Sequence, residues 1–242
     1  MCTVSFIPLK DKVLIAHNRD EKNSRSKAIA PRQYIINAQT LLFPRDSAAG
    51  GSWIACHQNG SAAVLLNGAF EKHLHQPPYR KSRGLVFLDI MAAHDLYLAY
   101  DEVDLTGIEP FTIIIWTGRQ LFECRWDTDK KHIVELSASA AHTWSSATLY
   151  DAAIIFKRKK WFEDWLQQHP HPSIEDLLQF HLSAGDGDLH NNLRMNRDGF
   201  MLTVSVTGIE ITKDKSMMQY LDLASENRFS GELSFTKAAV IQ

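Results

Sequence analysis

The chain has 242 residues and a formal net charge of −2 with no long run of one sign, which argues against a nucleic-acid or acidic-membrane partner held by bulk charge. With 45% hydrophobic and 22% charged residues it has the mix of a soluble globular protein, long enough to bury a sizeable core, and we expect a single domain over residues 1–242. The longest strongly apolar run, FTIIIW at 111–116, is strand-sized, so no membrane span is expected.

The first segment, CTVSFIPL, is rich in strand formers; LKDK makes a turn and VLIAHN a second strand, so the chain opens on a hairpin. Lys10, Asp11 and Lys12 interrupt this start early, and no charged segment followed by an apolar one marks a signal peptide. Cys2, Cys56 and Cys124 are odd in number and lack Cys-x-x-Cys spacing, which disfavours a disulfide framework or thiolate zinc site and fits a reducing, cytoplasmic setting. Residues 22–50 are polar and irregular, with a short strand near Tyr34–Ile36. WIACH and SAAVLLN flank Gln58-Asn59-Gly60, a hairpin signal because Asn-Gly tolerates positive φ.

A helix is predicted over about 82–99, with Leu85, Leu88, Met91, Ala92 and Asp95 at helical spacing. FTIIIWT, QLFECRW and HIVELS follow as strands. A helix over about 150–168 puts Ile155, Phe162, Trp165 and Leu166 on one face and leaves Lys157, Arg158, Lys159 and Lys160 mostly solvated. Ser173 caps a further helix running to Leu182, SAGDGDLHNN is a loop, and MLTVSVTGIEIT, MMQYLDL and ELSFT are closing strands. Strands in hairpins, with helices in two blocks between them, indicate an α+β fold with antiparallel sheets.

The Gly-rich pieces match neither GxGxxG nor GxxxxGK[ST]. His73 with His75, and His169 with His171, find no third ligand at regular spacing, and DGDLHNN lacks an EF-hand pattern, so neither a metal nor an organic cofactor is expected. Cys56 and Cys124 sit inside apolar strands and read as core.

Cys2 carries the chemistry. Removal of Met1 would give one residue both a thiol and a free α-amine, and that amine, with a reference pKa near 8, can take the thiol proton. In a tight hairpin the end of the second strand returns beside the start of the first, so Arg19 and Asp20 become neighbours of Cys2. Arg19 would favour the thiolate and Asp20 would hold or orient the amine.

MCTVSF, LIAHNRDE, GGSWIACHQNGSAAVLLN and SRGLVFLDI, in that order, resemble the NRDE family, closely over about the first hundred residues and weakly thereafter. That family in turn resembles the N-terminal-nucleophile acylases of the penicillin V acylase and bile salt hydrolase type. The resemblance implies a four-layer αββα sandwich, two antiparallel sheets between helices. It also implies catalytic roles for Cys2, Arg19, Asp20 and Asn67, the last as side-chain donor of an oxyanion hole. The acylase arginine falls opposite His17, with Arg19 two places on. Ser145 and Ser146 stand where a second acylase asparagine is expected, with Ser146 taken as its replacement. Of Arg194 and Arg197, Arg197 is preferred as a late catalytic arginine. Asn18, Trp53 and Tyr79 are candidate substrate contacts, although Trp53 reads first as core and Tyr79 as ordinary loop.

The expected activity is hydrolysis of a non-peptide amide, or a thioester, of a small-molecule acyl substrate through an acyl-Cys2 intermediate. The alternative is a non-catalytic carrier of lipid, acyl-CoA or haem on the same fold. A homo-oligomer is compatible with the sequence.

Overall fold

The computed structural model describes residues 2–236, with Cys2 described through its backbone. The elements in chain order begin with β1 (Cys2–Pro8), β2 (Val13–Lys22), β3 (Ile29–Ile36), β4 (Gln39–Arg45), β5 (Ile54–His57) and β6 (Ala62–Asn67). Helices α1 (Arg83–Met91) and α2 (Leu96–Glu102) follow, then β7 (Phe111–Trp116), β8 (Leu121–Trp126), β9 (Lys131–Leu136) and β10 (His142–Ser145). Helices α3 (Ala152–Gln168) and α4 (Ile174–Ser183) lead to β11 (Asn196–Arg197), β12 (Met201–Ile211), β13 (Lys215–Asp222) and β14 (Asn227–Ser234). One sheet has the order β10-β1-β2-β12-β13-β14, with β11 added to β12; the other runs β3 to β9 in chain order. All the pairings are antiparallel.

Strand alternation builds the layers. Val4, Phe6, Ile15, Ile209 and Met218 point from the first sheet into one apolar cluster with Ile54, Val64, Ile113 and Ile115 of the second. The intervening residues Ile7, Leu14 and Ala16 face the other way, onto Phe162, Leu177 and Phe180 of α3 and α4. Val86, Phe87, Ile90 and Met91 of α1, with Leu96 and Tyr100 of α2, cover the second sheet. The result is the helix–sheet–sheet–helix sandwich expected from the resemblance.

Three local expectations are corrected, and one strand the sequence left unassigned is added. Residues 22–50 hold a full hairpin, β3–β4, whose turn residues Asn37 and Ala38 take positive φ without a glycine to signal it. The helix over 82–99 is two helices, because the Asp95 carboxylate accepts from Leu98 N–H and caps α2 instead of continuing a stripe. The stretch HTWS forms β10, an edge strand paired with β1. Finally, Arg158 is not solvated: it is 1% exposed and points from α3 toward β1.

Two features position the site. Gly51 and Gly84 let α1 start directly against the segment that leads to Trp53: a Cβ on Gly51 would lie 2.4 Å from the Gly84 carbonyl carbon, and Ser52 N–H donates to Gly84 O at 3.2 Å. After β6, Gly68 at φ +83° turns the chain, its N–H donating to Pro110 O, and this fixes Asn67 at the strand end.

Candidate active site

The first hairpin brings its two ends together as the sequence predicts: Cys2 is the register partner of Arg19, and Thr3 of Asn18. Arg19 faces the second sheet. Its guanidinium lies 4.1 Å from the Trp53 ring, and Nη2 donates to Asp46 Oδ2 at 2.8 Å. Asp46 was not singled out by the sequence. Its Oδ2 also accepts from Arg25 Nε at 3.0 Å, and its Oδ1 accepts from Ala48 and Ala49 N–H. Burial pushes the Asp46 carboxyl up, but the Ala49 N–H and the two arginines outweigh it and hold it below the usual range.

His17, two residues before Arg19, shares its sheet face. It is fully buried, neither ring nitrogen has a partner among the described residues, and burial holds its pKa well below the ordinary value. The two-residue offset between His17 and Arg19 therefore keeps a guanidinium on that face, one step nearer the strand end.

Arg19, Trp53, Asn67 and Tyr79 line one open cavity of about 880 Å³. The Asn67 side chain has no hydrogen-bond partner among the described residues, whereas its backbone O accepts from Ser146 Oγ at 2.7 Å. Ser146 is 1% exposed and also meets Thr148 Oγ1 at 2.9 Å. This corrects its expected role: its hydroxyl proton is held by the Asn67 carbonyl, so Ser146 braces Asn67 and is not a second donor into the cavity. Trp53 is 7% exposed, so it is both core and wall, the floor on which Arg19 lies. Tyr79 accepts from Gln76 N–H through its hydroxyl and lines the cavity from the loop after β6.

On the opposite face of β2 lies a second polar cluster. Asp20 is fully buried; its Oδ2 accepts from Tyr150 OH at 3.0 Å and its Oδ1 from Thr203 Oγ1 at 2.7 Å. Burial raises its pKa, while Arg158 and the two hydroxyls pull the other way. Arg158 packs 3.5 Å from the Tyr150 ring centre and donates to Thr3 Oγ1, Asn191 O and Asn192 O. Arg197, the preferred late arginine, is corrected. Its guanidinium donates to His190 O and Leu149 O, 5.4 Å from the Tyr150 ring, and it does not line the cavity. Arg158 instead is the arginine that reaches β1, and its charge is the largest influence opposing the burial of Asp20.

Asn18 is corrected as well. It is fully buried, and its Nδ2 donates to His181 O and Leu193 O. With that amide nitrogen engaged, Asn18 Oδ1 accepts from His181 Nδ1, which leaves His181 Nε2 to accept from Ser5 Oγ at 2.9 Å. Burial and the nearby Arg158 lower the His181 pKa to about 3, so this neutral imidazole knots α4 to β1 and β2. Asn18 is buried and does not line the cavity.

The far wall of the cavity carries Glu109. Oε2 meets Arg83 Nη2 at 3.0 Å, while His73 Nε2 and His75 Nδ1 converge on Oε1 at 3.0 and 3.3 Å. These partners outweigh the burial of Glu109 and hold its carboxyl below the usual range. No group of three or more His, Cys, Asp or Glu side chains among the described residues has the arrangement of a metal site.

A family profile described as Transport and Golgi organisation 2 matches residues 1–214. The chain belongs to this family. That bears out the NRDE resemblance of the opening motifs and extends it well past the first hundred residues. No curated relative matches the sequence. Among solved structures, the chain is similar to the C2A mutant of conjugated bile acid hydrolase from Clostridium perfringens, at 11% identity and a TM-score of 0.54, covering 99% of this chain and 100% of that one. It is also similar to the Caenorhabditis elegans N-acylethanolamine-hydrolyzing acid amidase orthologue, at 12% identity and a TM-score of 0.59, covering 86% and 92%. At such identities the likeness establishes the N-terminal-nucleophile hydrolase fold.

Proposed function

We propose that the chain is an N-terminal cysteine hydrolase that cleaves a non-peptide amide, or a thioester, of a small-molecule acyl substrate. The observation that carries this reading is the register pairing of Cys2 with Arg19, at a cavity that Asn67 also lines. The fold and the family support it.

In this mechanism Met1 is removed and the freed Cys2 amine takes the thiol proton. The thiolate attacks the substrate carbonyl, favoured by the Arg19 guanidinium. The developing oxyanion accepts from Asn67 Nδ2, a donor worth about 3 kcal/mol of barrier when well aimed. Collapse breaks the C–N or C–S bond, and the leaving group takes the proton held on the Cys2 amine. Water then attacks the acyl-thioester, gives its proton to the amine, and releases the acid. Asp20, one position beyond the register partner of Cys2, orients the amine; Asp46 holds Arg19 and Ser146 braces Asn67. A reducing, cytoplasmic setting suits a free nucleophilic thiol.

The experiment is intact-mass spectrometry before and after exposure to an acyl β-lactone. The expected result is a chain lacking Met1 that gains one adduct, on Cys2. Cys56 and Cys124 are internal controls, since burial pushes both thiols up to about 12. A processed chain that forms no Cys2 adduct with any acyl electrophile rejects the reading.

One observation favours a second reading, a non-catalytic carrier of lipid, acyl-CoA or haem. The hydroxyl of Ser146 is turned to the Asn67 carbonyl, so of the two expected oxyanion donors, Asn67 and Ser146, only Asn67 lines the cavity. Saturable binding that survives Cys2→Ala, with no turnover by the unaltered protein, would select it.

A further inference from the structure

The charge lining the cavity is opposite in sign to that of the molecule. The whole chain carries −2, yet six cationic side chains line this one space: Arg19, Lys22, Arg25, Lys72, Lys81 and Arg83. Against them stand three carboxylates, Glu21, Asp46 and Glu109, leaving three positive charges in excess among the lysines, arginines and carboxylates of the lining.

The three carboxylates are already engaged. Asp46 holds Arg19 and Arg25, Glu109 holds Arg83, and Glu21 lies 3.8 Å from Arg25. Lys81 pairs with Asp89, outside the cavity lining. The side-chain ammonium groups of Lys22 and Lys72 meet no carboxylate among the described residues, and the one ring contact of Lys22 is with Phe200, at 5.8 Å. The first turn of α1 opens on the same space through Ser82, Arg83 and Gly84, and it contains no acidic side chain to meet the helix dipole. A cleft lined by one sign of charge concentrates its field and raises the local concentration of the opposite ion.

We infer that the acyl substrate of this cavity carries an anionic group, a carboxylate, sulfonate or phosphate, held by Lys22 and Lys72 at the rim and facing the first turn of α1. The inference rests on the proposed hydrolase reading for where the scissile bond lies, but it concerns binding and needs no turnover. Lys22 lies at the end of β2 and Lys72 in the loop after β6, so the two lysines reach the one cavity from different elements. The arginines, already paired, set the position of the wall.

The test compares two probes that share an acyl chain and an amide and differ in terminal charge: N-lauroyltaurine and N-lauroylethanolamide. Binding is measured by calorimetry to the Cys2→Ala protein, so that hydrolysis plays no part. The expected result is at least about tenfold tighter binding of the taurine conjugate at low salt, narrowing as ionic strength rises because rim charges are screened. Lys22→Gln with Lys72→Gln, both exposed and outside the proposed catalytic groups, is expected to remove most of that preference without changing the thermal midpoint. Equal affinity for the two probes, no binding of the anionic one, or a preference undiminished in the double variant overturns the inference. The β-lactone experiment reads the nucleophile with a neutral reagent, so the hydrolase reading can fail or stand independently of this result.

Discussion

Arg158 shows how far one side chain can depart from the reading of its neighbourhood. It sits in a run of four basic residues whose other members are half-exposed or fully exposed, and helical periodicity cannot tell which of the four turns inward. In the fold its charge is the strongest influence opposing the burial of Asp20, and it ties α3 to Thr3, next door to Cys2. Its removal would leave the Asn191 and Asn192 carbonyls without their donors and Asp20 without its main compensating charge. Arg158→Met is therefore expected to cost at least about 3 kcal/mol, measured by urea unfolding. Arg158→Lys would recover only part of this, because one ammonium cannot span the three acceptors that the planar guanidinium reaches. Asp46 escaped the sequence reading for a related reason: only the return of β4 beside the end of β2 makes it the partner of Arg19. Asn18 was misread because it adjoins Arg19 in sequence, and in a strand adjacent residues face opposite ways.

Elements with strong local signals were legible. The Asn-Gly hairpin of β5 and β6, the apolar β7 and the Ser173 cap of α4 appear where the sequence put them, the last as a full capping box with Asp176. The missed elements lack such signals. β3, expected only over Tyr34–Ile36, is largely half-buried or exposed, β4 contains Pro44, and β10 is a four-residue edge strand with no fully buried position. The GGSW and SRG motifs were legible as motifs, but their physical meaning required the fold: they are two sides of one close contact. Gly51→Ala would drive a methyl group into the Gly84 backbone, which cannot yield as a side-chain tip can. The expected cost is about 2 kcal/mol or more, read as a lowered unfolding midpoint together with faster hydrogen exchange in α1.

At the scale of the molecule, the α+β class followed from the order of strands and helices, and the four layers from the resemblance; neither required the site. Burial of two neutral imidazoles on the two faces of β2 gives the fold a pH dependence. His17 and His181 have native pKa values below that of an unfolded histidine, His181 at about 3. The unfolded chain therefore takes up protons first. The stability these groups contribute is fully present above about pH 6.5 and falls as the pH drops below it. Asp20, raised in the native state, works in the opposite sense but is one group against two. The net loss expected between pH 6.5 and 5.5 is about 1–2 kcal/mol, measurable from denaturant midpoints; a midpoint that rises over this interval would contradict the assignment.

The start of β1 at Cys2, in register with Arg19, also governs how the protein has to be handled. Any purification handle, fusion partner or leftover protease-site residue joined ahead of Cys2 turns its amine into an amide and extends the strand at the mouth of the cavity. On the proposed hydrolase reading, a preparation tagged there would turn over no substrate, whereas a carrier would still bind its ligand. Recombinant work on this chain should leave the leading end native and attach any handle at the trailing one.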